Sequence, residues 1–176
     1  MPKKRAKSRF RETGRVGETF SDVFPNELAV ITTIRKSADE VVNNSDVLQN
    51  DDDFFFDVLE GDVWEVVITG LVTSATAADF KYDFSVPTGA TVHGIVGSLQ
   101  VGAAGSGTND LAASVDLTAD DGIGTLGTGT EAAFYIRALV VVAETPGVVN
   151  FRWAQNTATA SDTTLLAESW MTVRRI

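Results

Sequence analysis

The stretch ADFKYDFSVP (Ala78–Pro87) decides the fold class of this chain. Large apolar side chains occupy every second position, and polar or charged ones lie between them. The apolar set is Phe80, Tyr82, Phe84 and Val86, and the polar set is Asp79, Lys81, Asp83 and Ser85. A period of two is typical of a strand with one buried and one solvated face. The stretch therefore predicts a β-strand whose aromatic residues enter a core and whose acids face water.

The same pattern recurs along the chain. In GVVNFRWAQ (Gly147–Gln155) Val149, Phe151 and Trp153 alternate with more polar neighbours. AAFYIRALVVVAE (Ala132–Glu144) is long and β-branched near its end, as a central strand should be. Further strands are predicted over residues 37–42, 53–59, 62–73, 91–101 and 169–175. Together these segments predict about eight strands.

The connectors agree with an all-β fold, since Gly, Pro, Ser and Thr separate the predicted strands and no segment carries an apolar stripe of helical period. Two Gly-rich stretches, Val101–Asp110 and Asp120–Glu131, flank a short possible strand at Leu111–Thr118. Loops of this length are often functional. We predict an antiparallel β-sandwich or jelly roll over residues 36–176, preceded by an extended basic arm over residues 1–35.

The charge of the arm is opposite to that of the rest of the chain. Residues 1–15 hold seven basic residues and one acid, net +6, whereas the remaining residues hold seven basic and 23 acidic ones, net −16, which together give the total of −10. Three Phe residues are interspersed, and a purely solvated tail would not need them. We predict an arm that docks on another surface through Lys3, Lys4, Arg5, Lys7, Arg9, Phe10, Arg11, Arg15, Phe20 and Phe24.

Composition excludes several classes of protein. There is no Cys, which rules out disulfides, thiolate metal sites and thiol nucleophiles. The longest apolar run, Ala138–Ala143, is far shorter than a membrane-spanning helix. The basic N-terminus is not followed by an apolar segment, so no secretory signal peptide is predicted.

Motifs that could carry chemistry are weak. GIGTLG (Gly122–Gly127) has the spacing of a dinucleotide loop, but a strand follows where a helix is needed. The acids Asp51–Asp53 lack the spacing of a calcium loop and are predicted to form a solvated turn before an aromatic strand, although a weak shared ion site stays open. His93 is the one histidine and has no nucleophile motif near it. We therefore expect no enzyme, cofactor or metal site.

The C-terminal stretch Val149–Ile176 resembles a segment common in virion proteins of tailed bacteriophages. The matching residues are Trp153, Ala154, Gln155, Asn156, Thr164, Leu166, Ala167, Ser169 and Arg174. The chain departs from the pattern at Glu168, where the family has Gly. Residues 36–66 and 76–91 also look like parts of such proteins, and the resemblance covers about Lys36 to Ile176.

The resemblance implies a jelly-roll or sandwich domain, commonly trimeric, that serves as a capsid decoration protein, a head fibre or a tail-fibre tip. It implies a location in the virion, on the outer capsid surface rather than the tail, and the major capsid protein or another virion protein as partner. The subunit interface or core is expected to contain Phe80, Tyr82, Phe84, Trp153 and Trp170.

Two other functions stay open at this level. A receptor-binding tip of a tail or head fibre would use the same β-domain. A nucleic-acid-binding module would use the basic arm, but the net −16 remainder repels phosphate and argues against it. No membrane association is expected.

Overall fold

The computed structural model describes residues 31–101 and 109–176, and within these ranges the chain forms twelve strands and no helix. The strands are β1 (Ile31–Arg35), β2 (Glu40–Val42), β3 (Gln49–Val58), β4 (Val63–Thr73), β5 (Phe80–Ser85), β6 (Thr91–Leu99), β7 (Asn109–Asp116), β8 (Asp121–Ile123), β9 (Ala132–Val141), β10 (Gly147–Gln155), β11 (Thr163–Leu165) and β12 (Trp170–Arg175). The prediction of an all-β fold is confirmed. The longer segments predicted as strands form β3 to β6, β9, β10 and β12.

The strands form two antiparallel sheets. The large sheet has eight strands in the order β1-β12-β4-β9-β6-β7, with β11 pairing the end of β4 and β2 pairing β11. The small sheet has four strands in the order β3-β10-β5-β8. The predicted central position of Ala132–Glu144 is confirmed, because β9 pairs β4 on one side and β6 on the other.

The core lies between the sheets and is rich in aromatic rings. The ring of Phe80 on β5 is 5.4 Å from Trp153 on β10 and 5.4 Å from Phe134 on β9 (centroid to centroid), so the rings join the two sheets. Tyr82 and Phe151 lie 5.9 Å apart in the same layer. All five side chains are at most 2% exposed. Burial of such rings stabilises the sandwich because each removes a large apolar area from water.

The predicted solvated face of Ala78–Pro87 is wrong at its two acids. Asp79 and Asp83 are both buried. Asp83 lies opposite Arg152 on β10, and the guanidinium donates two hydrogen bonds to the carboxylate, Nε to Oδ1 at 2.8 Å and a second, shorter one to Oδ2. Asp79 accepts hydrogen bonds from the backbone N–H and hydroxyl of Thr125. These partners are distant in sequence, and they compensate the cost of burying each carboxylate.

The prediction of a solvated turn at Asp51–Asp53 is also wrong. All three residues belong to β3, and Asp51 is 3% exposed. Its carboxylate accepts a hydrogen bond from the ammonium of Lys36, which is itself buried. A carboxylate removed from water needs such a partner, and the partner lies 15 residues away along the chain.

The sheet begins inside the segment predicted as the arm. Ile31–Arg35, the last five residues of that segment, form β1, and all five pair with residues of β12. The residues proposed to anchor the arm, from Lys3 to Phe24, lie outside the described residues, as does most of the first Gly-rich stretch. In the second Gly-rich stretch, residues 121–123 form β8, and Gly124 bridges Leu99 at the end of β6. In the described ranges we find no helix that could span a membrane.

Candidate assembly surface

The outward face of the large sheet carries apolar side chains where a solvated sheet normally carries polar ones. Tyr135, Leu139 and Val141 on β9, Ile95 on β6 and Trp170 on β12 are each 39–41% exposed. They are exposed because the alternate residues of the same strands enter the core, and β9 alternates strictly between buried and exposed positions. We call this surface the outer face of the large sheet.

The strand register makes these residues one continuous surface. Trp170 lies opposite Thr69 on β4, and Thr69 lies opposite Tyr135 on β9, so the two aromatic side chains share one row. A parallel row runs from Arg174 through Glu65 to Leu139. Neighbouring strands are about 4.8 Å apart, so the surface from β12 to β6 is roughly 15 Å wide.

An ion-pair group lies in the middle of this face. Arg137 donates hydrogen bonds to Glu65 Oε1 from Nε at 2.9 Å and from Nη2 at 2.5 Å, and Arg174 Nη2 lies 2.6 Å from Glu65 Oε2. The hydrogen bond from Arg137 lowers the pKa of Glu65, and the charge of Arg174 adds to this, although partial burial opposes it. Glu65 therefore stays ionised, and the group has two cations for one anion.

The charge of this face differs from that of the protein as a whole. Among the outward side chains of β1, β12, β4, β9 and β6, all within the described part of the chain, Glu65 is the single acid. Residues 16–176 carry net −16. Copies of the chain therefore repel each other less through this face than through the more acidic remainder.

A shallow depression marks one edge of the face. It is lined by Ile31, Glu65, Val67, Thr172 and Arg174, which come from three adjacent strands. Ile31 at its rim is 60% exposed and is the first described residue of β1. The N-terminal arm therefore joins the body beside this depression.

The residues predicted for the interface or core separate into two places. Phe80, Tyr82, Phe84 and Trp153 are buried between the sheets, where no partner can reach them, and Trp170 lies on the outer face of the large sheet. His93 is exposed on β6, opposite Leu139. In the described ranges no group of three or more His, Cys, Asp or Glu side chains is arranged to hold a metal ion.

Sequence reasoning missed Tyr135, Leu139, Val141 and Ile95 as surface residues. The stretch Ala138–Ala143 is apolar at every position, so its pattern does not show which residues face the core. In the structure only alternate residues of it are buried. A run that is apolar on both faces is the signal that could have pointed to a second, external contact surface.

The motif residues that carry the phage resemblance include one with a clear structural role. Gln155 is fully buried, and its Oε1 accepts backbone hydrogen bonds from Ser45 at 3.2 Å and Thr159 at 2.9 Å. Its Nε2 donates to the carbonyl oxygen of Ser161 at 2.6 Å. Gln155 therefore holds two loops together at one end of the sandwich.

No protein-family model matches this chain, and no curated protein matches it significantly. Three solved structures share limited similarity with it, and each covers 85% of this chain. The first is a structure of infectious bursal disease virus, Gx strain, with 8% identity and a TM-score of 0.23. The second is a mutant VP2 protein of that virus in derived T=1 particles, with 12% identity and a TM-score of 0.21. The third is a structure of the Gt strain, with 12% identity and a TM-score of 0.19. The chain spans 38–41% of the length of these chains.

Proposed function

We propose that this chain is a structural, non-enzymatic protein of a tailed-bacteriophage virion and acts as a capsid decoration protein. In this proposal the β-sandwich forms a homotrimer through the outer face of the large sheet. The arm before β1 attaches it to the major capsid protein or another virion protein. The sandwich then lies on the outer surface of the capsid, and no cofactor, membrane or nucleic acid takes part.

The observation that carries the proposal is the outer face of the large sheet. Exposed apolar residues of the adjacent strands β9 and β6, such as Leu139 and Ile95, together with Trp170 two strands away on β12, form the kind of patch that marks a protein interface. Aromatic residues and Arg are also enriched at interfaces, and Arg137 and Arg174 lie between the apolar side chains. A second copy of the chain is the proposed occupant because this face lacks the excess of acids that the rest of the chain carries.

The arm supplies the attachment. An extended arm of some thirty residues reaches on the order of 100 Å, enough to cross a neighbouring capsid subunit. Its net charge of +6 over residues 1–15 suits an acidic surface, and Phe10, Phe20 and Phe24 suit apolar pockets. Three arms per trimer would bind a repeating lattice with multivalent gain.

Light scattering after size-exclusion chromatography tests the assembly surface. We expect the full chain to be trimeric and Leu139→Asp to be monomeric, because a carboxylate would be buried at the interface. Val148→Asp is the matched control, since Val148 is 39% exposed but lies on the small sheet. A trimeric Leu139→Asp variant, or a monomeric wild type, would overturn the proposed interface.

Imaging of the intact particle tests the location. A decoration protein occurs in hundreds of copies per particle and lies on the capsid, whereas a fibre protein occurs in a handful of copies. Removal of residues 2–15 should abolish capsid occupancy and leave the trimer intact. Unchanged occupancy of the truncated protein would show that the basic segment is not the anchor.

A receptor-binding fibre tip is the second candidate, because an open, shallow depression on the small sheet has suitable chemistry. Phe55, which is 49% exposed, lines it together with Asn50, Asp52, Val148 and Asn150. An exposed aromatic ring beside amide and carboxylate groups suits a sugar, which stacks its apolar face on the ring and pairs its hydroxyls. A low copy number at the tail, with loss of host adsorption in Phe55→Ala, would favour this candidate.

A further inference from the structure

A buried group of charged side chains ties the start of the body to β3. Lys36, the residue after β1, is 2% exposed. Its ammonium Nζ donates to Asp51 Oδ2 at 2.7 Å and to Glu40 Oε2 at 2.8 Å, and Asp53 Oδ2 lies 3.9 Å away. One amine therefore contacts two carboxylates directly and has a third nearby.

The amine and the nearer carboxylate are shielded from water. The side chains of Lys36 and Asp51 are both 0% exposed, and the ring of Phe54 lies 5.5 Å from Nζ. Glu40 is 11% exposed in its side chain and is held by the backbone N–H of Asp52 at 3.2 Å. This environment combines an amine, a buried carboxyl group and a second carboxylate in contact beside an aromatic ring.

The other oxygen of Asp51 is held by two backbone donors. Its Oδ1 accepts hydrogen bonds from the N–H of Phe54 at 2.8 Å and of Asp53 at 3.0 Å. Donors fixed in this way stabilise negative charge that develops on a carbonyl oxygen when a nucleophile attacks the adjacent carbon. They also hold the carboxyl group in one orientation relative to Nζ.

We propose that Lys36 and Asp51 condense to an intramolecular isopeptide bond and that Glu40 carries the proton during the reaction. A proton first passes from the Lys36 ammonium to Asp51 Oδ2. The free amine attacks Cγ of Asp51, and the negative charge forms on Oδ1. Glu40 then takes the second proton from the nitrogen and delivers it to Oδ2, which leaves as water. One C–N bond forms, one C–O bond breaks, Glu40 returns to a carboxylate, and no redox partner is needed.

The physical environment favours this condensation. Two buried charges are costly to keep out of water, and the reaction replaces them with a neutral amide and a released water molecule. Contact between the reacting groups removes the entropy cost of bringing them together. Burial raises the pKa of Asp51, although Lys36 and two backbone N–H groups oppose the shift. The raised pKa favours the neutral carboxyl form, which an amine can attack. Burial lowers the pKa of Lys36, but its hydrogen bonds to Asp51 and Glu40 outweigh burial and raise it overall, so a proton acceptor in contact with the amine is required.

The bond would have a mechanical role that rests on the proposed function. Lys36 directly follows β1, through which the arm enters the body, and Asp51 lies in the small sheet. A covalent link between them would pass load from an attached arm to both sheets. The bond itself does not depend on the trimer, so its test stands even if the proposed function fails.

Intact-mass spectrometry of the full chain tests the bond. We expect the wild-type mass to be lower than the sequence mass by one water molecule, with a branched peptide that joins Lys36 and Asp51 after proteolysis. Asp51→Asn should form the same bond but lose one ammonia molecule instead, because the side-chain amide nitrogen of Asn leaves as ammonia. The full sequence mass in folded wild type, even after long incubation, would overturn the proposal and leave an ordinary ion pair.

The Glu40→Gln variant tests the proton carrier. Its amide keeps the size of the side chain but cannot take a proton, so we expect a folded chain of full sequence mass. Asp53→Asn is the matched control, because Asp53 lies nearby without direct contact with Nζ, and it should still lose water. Condensation at the wild-type rate in Glu40→Gln, with folding checked by circular dichroism, would overturn the role of Glu40.

Discussion

The ring of Phe134 fills the space that a side chain at Gly70 would occupy. The two residues are direct partners across β4 and β9, and a Cβ atom at Gly70 would lie 2.0 Å from Phe134 Cζ. The ring also packs 5.4 Å from Phe80 in the small sheet, which limits its movement. Gly70 therefore lets the ring lie flat across the strand and join the two sheets.

We expect Gly70→Ala to destabilise the protein by about 1–3 kcal/mol, because overpacking forces the ring out of its position. Urea unfolding measures this change. Thr69→Ala, at the adjacent outward position, is the control and should have a small effect. The double variant Gly70→Ala with Phe134→Leu should lose less stability than the sum of the two single variants. A loss equal to that sum would show that the two residues are not coupled.

The ion-pair group on the outer face of the large sheet predicts a loss of stability in acid. The pKa of Glu65 is lowered from its ordinary value of 4.5, chiefly by the hydrogen bond from Arg137. Its contribution is therefore complete above pH 4.5 and is lost as the pH falls through the lower pKa of the folded state. As the pH falls below 4.5, the free energy of unfolding should decrease less for Glu65→Gln than for wild type.

The control for this experiment is Glu168→Gln. Glu168 pairs with Arg35 at 3.4 Å, but both side chains are at least 66% exposed, so the pair should contribute little. Glu168→Gln should therefore keep the wild-type pH dependence. If Glu65→Gln kept it as well, the acid sensitivity would arise elsewhere in the chain.

The buried carboxylate of Asp83 depends on Arg152. Removal of Arg152 in Arg152→Met leaves a carboxylate that is 4% exposed without its cation. We expect a loss of about 2 kcal/mol, less than for a fully buried pair, because the Arg152 side chain is 33% exposed and water can reach the site. The double variant with Asp83→Asn should be more stable than Arg152→Met alone. Equal stability of the single and the double variant would mean that the uncompensated charge of Asp83 does not cause the loss of stability in Arg152→Met.

The strands were largely predictable because side-chain alternation is a local property. The alternation of Phe80, Tyr82 and Phe84 could be read directly, and these residues are buried as the pattern requires. The length and β-branching of Ala132–Glu144 likewise indicated the central strand. The predicted boundary between the arm and the sandwich was less accurate, because Ile31–Arg35 joins the sheet through pairing with β12 at the other end of the chain.

The candidate surface could be predicted only in part. Trp170 was among the expected interface or core residues, whereas Tyr135 and Leu139 were not, because an apolar run does not say which of its faces is covered. The outward direction of Leu139 follows from the position of β9 between β4 and β6 and from the small sheet that covers its other side.

By itself, the sequence determined that the chain forms two-faced strands with an aromatic core, since a period of two leaves no other regular arrangement for these residues. Only the tertiary structure decided which polar groups are buried. Asp51, Asp79 and Asp83 read as solvated residues, yet each is buried beside a partner that is distant in sequence, respectively Lys36, Thr125 and Arg152. The physical reason is that a carboxylate enters a protein interior only where donors meet it, and those donors arrive through long-range strand pairing.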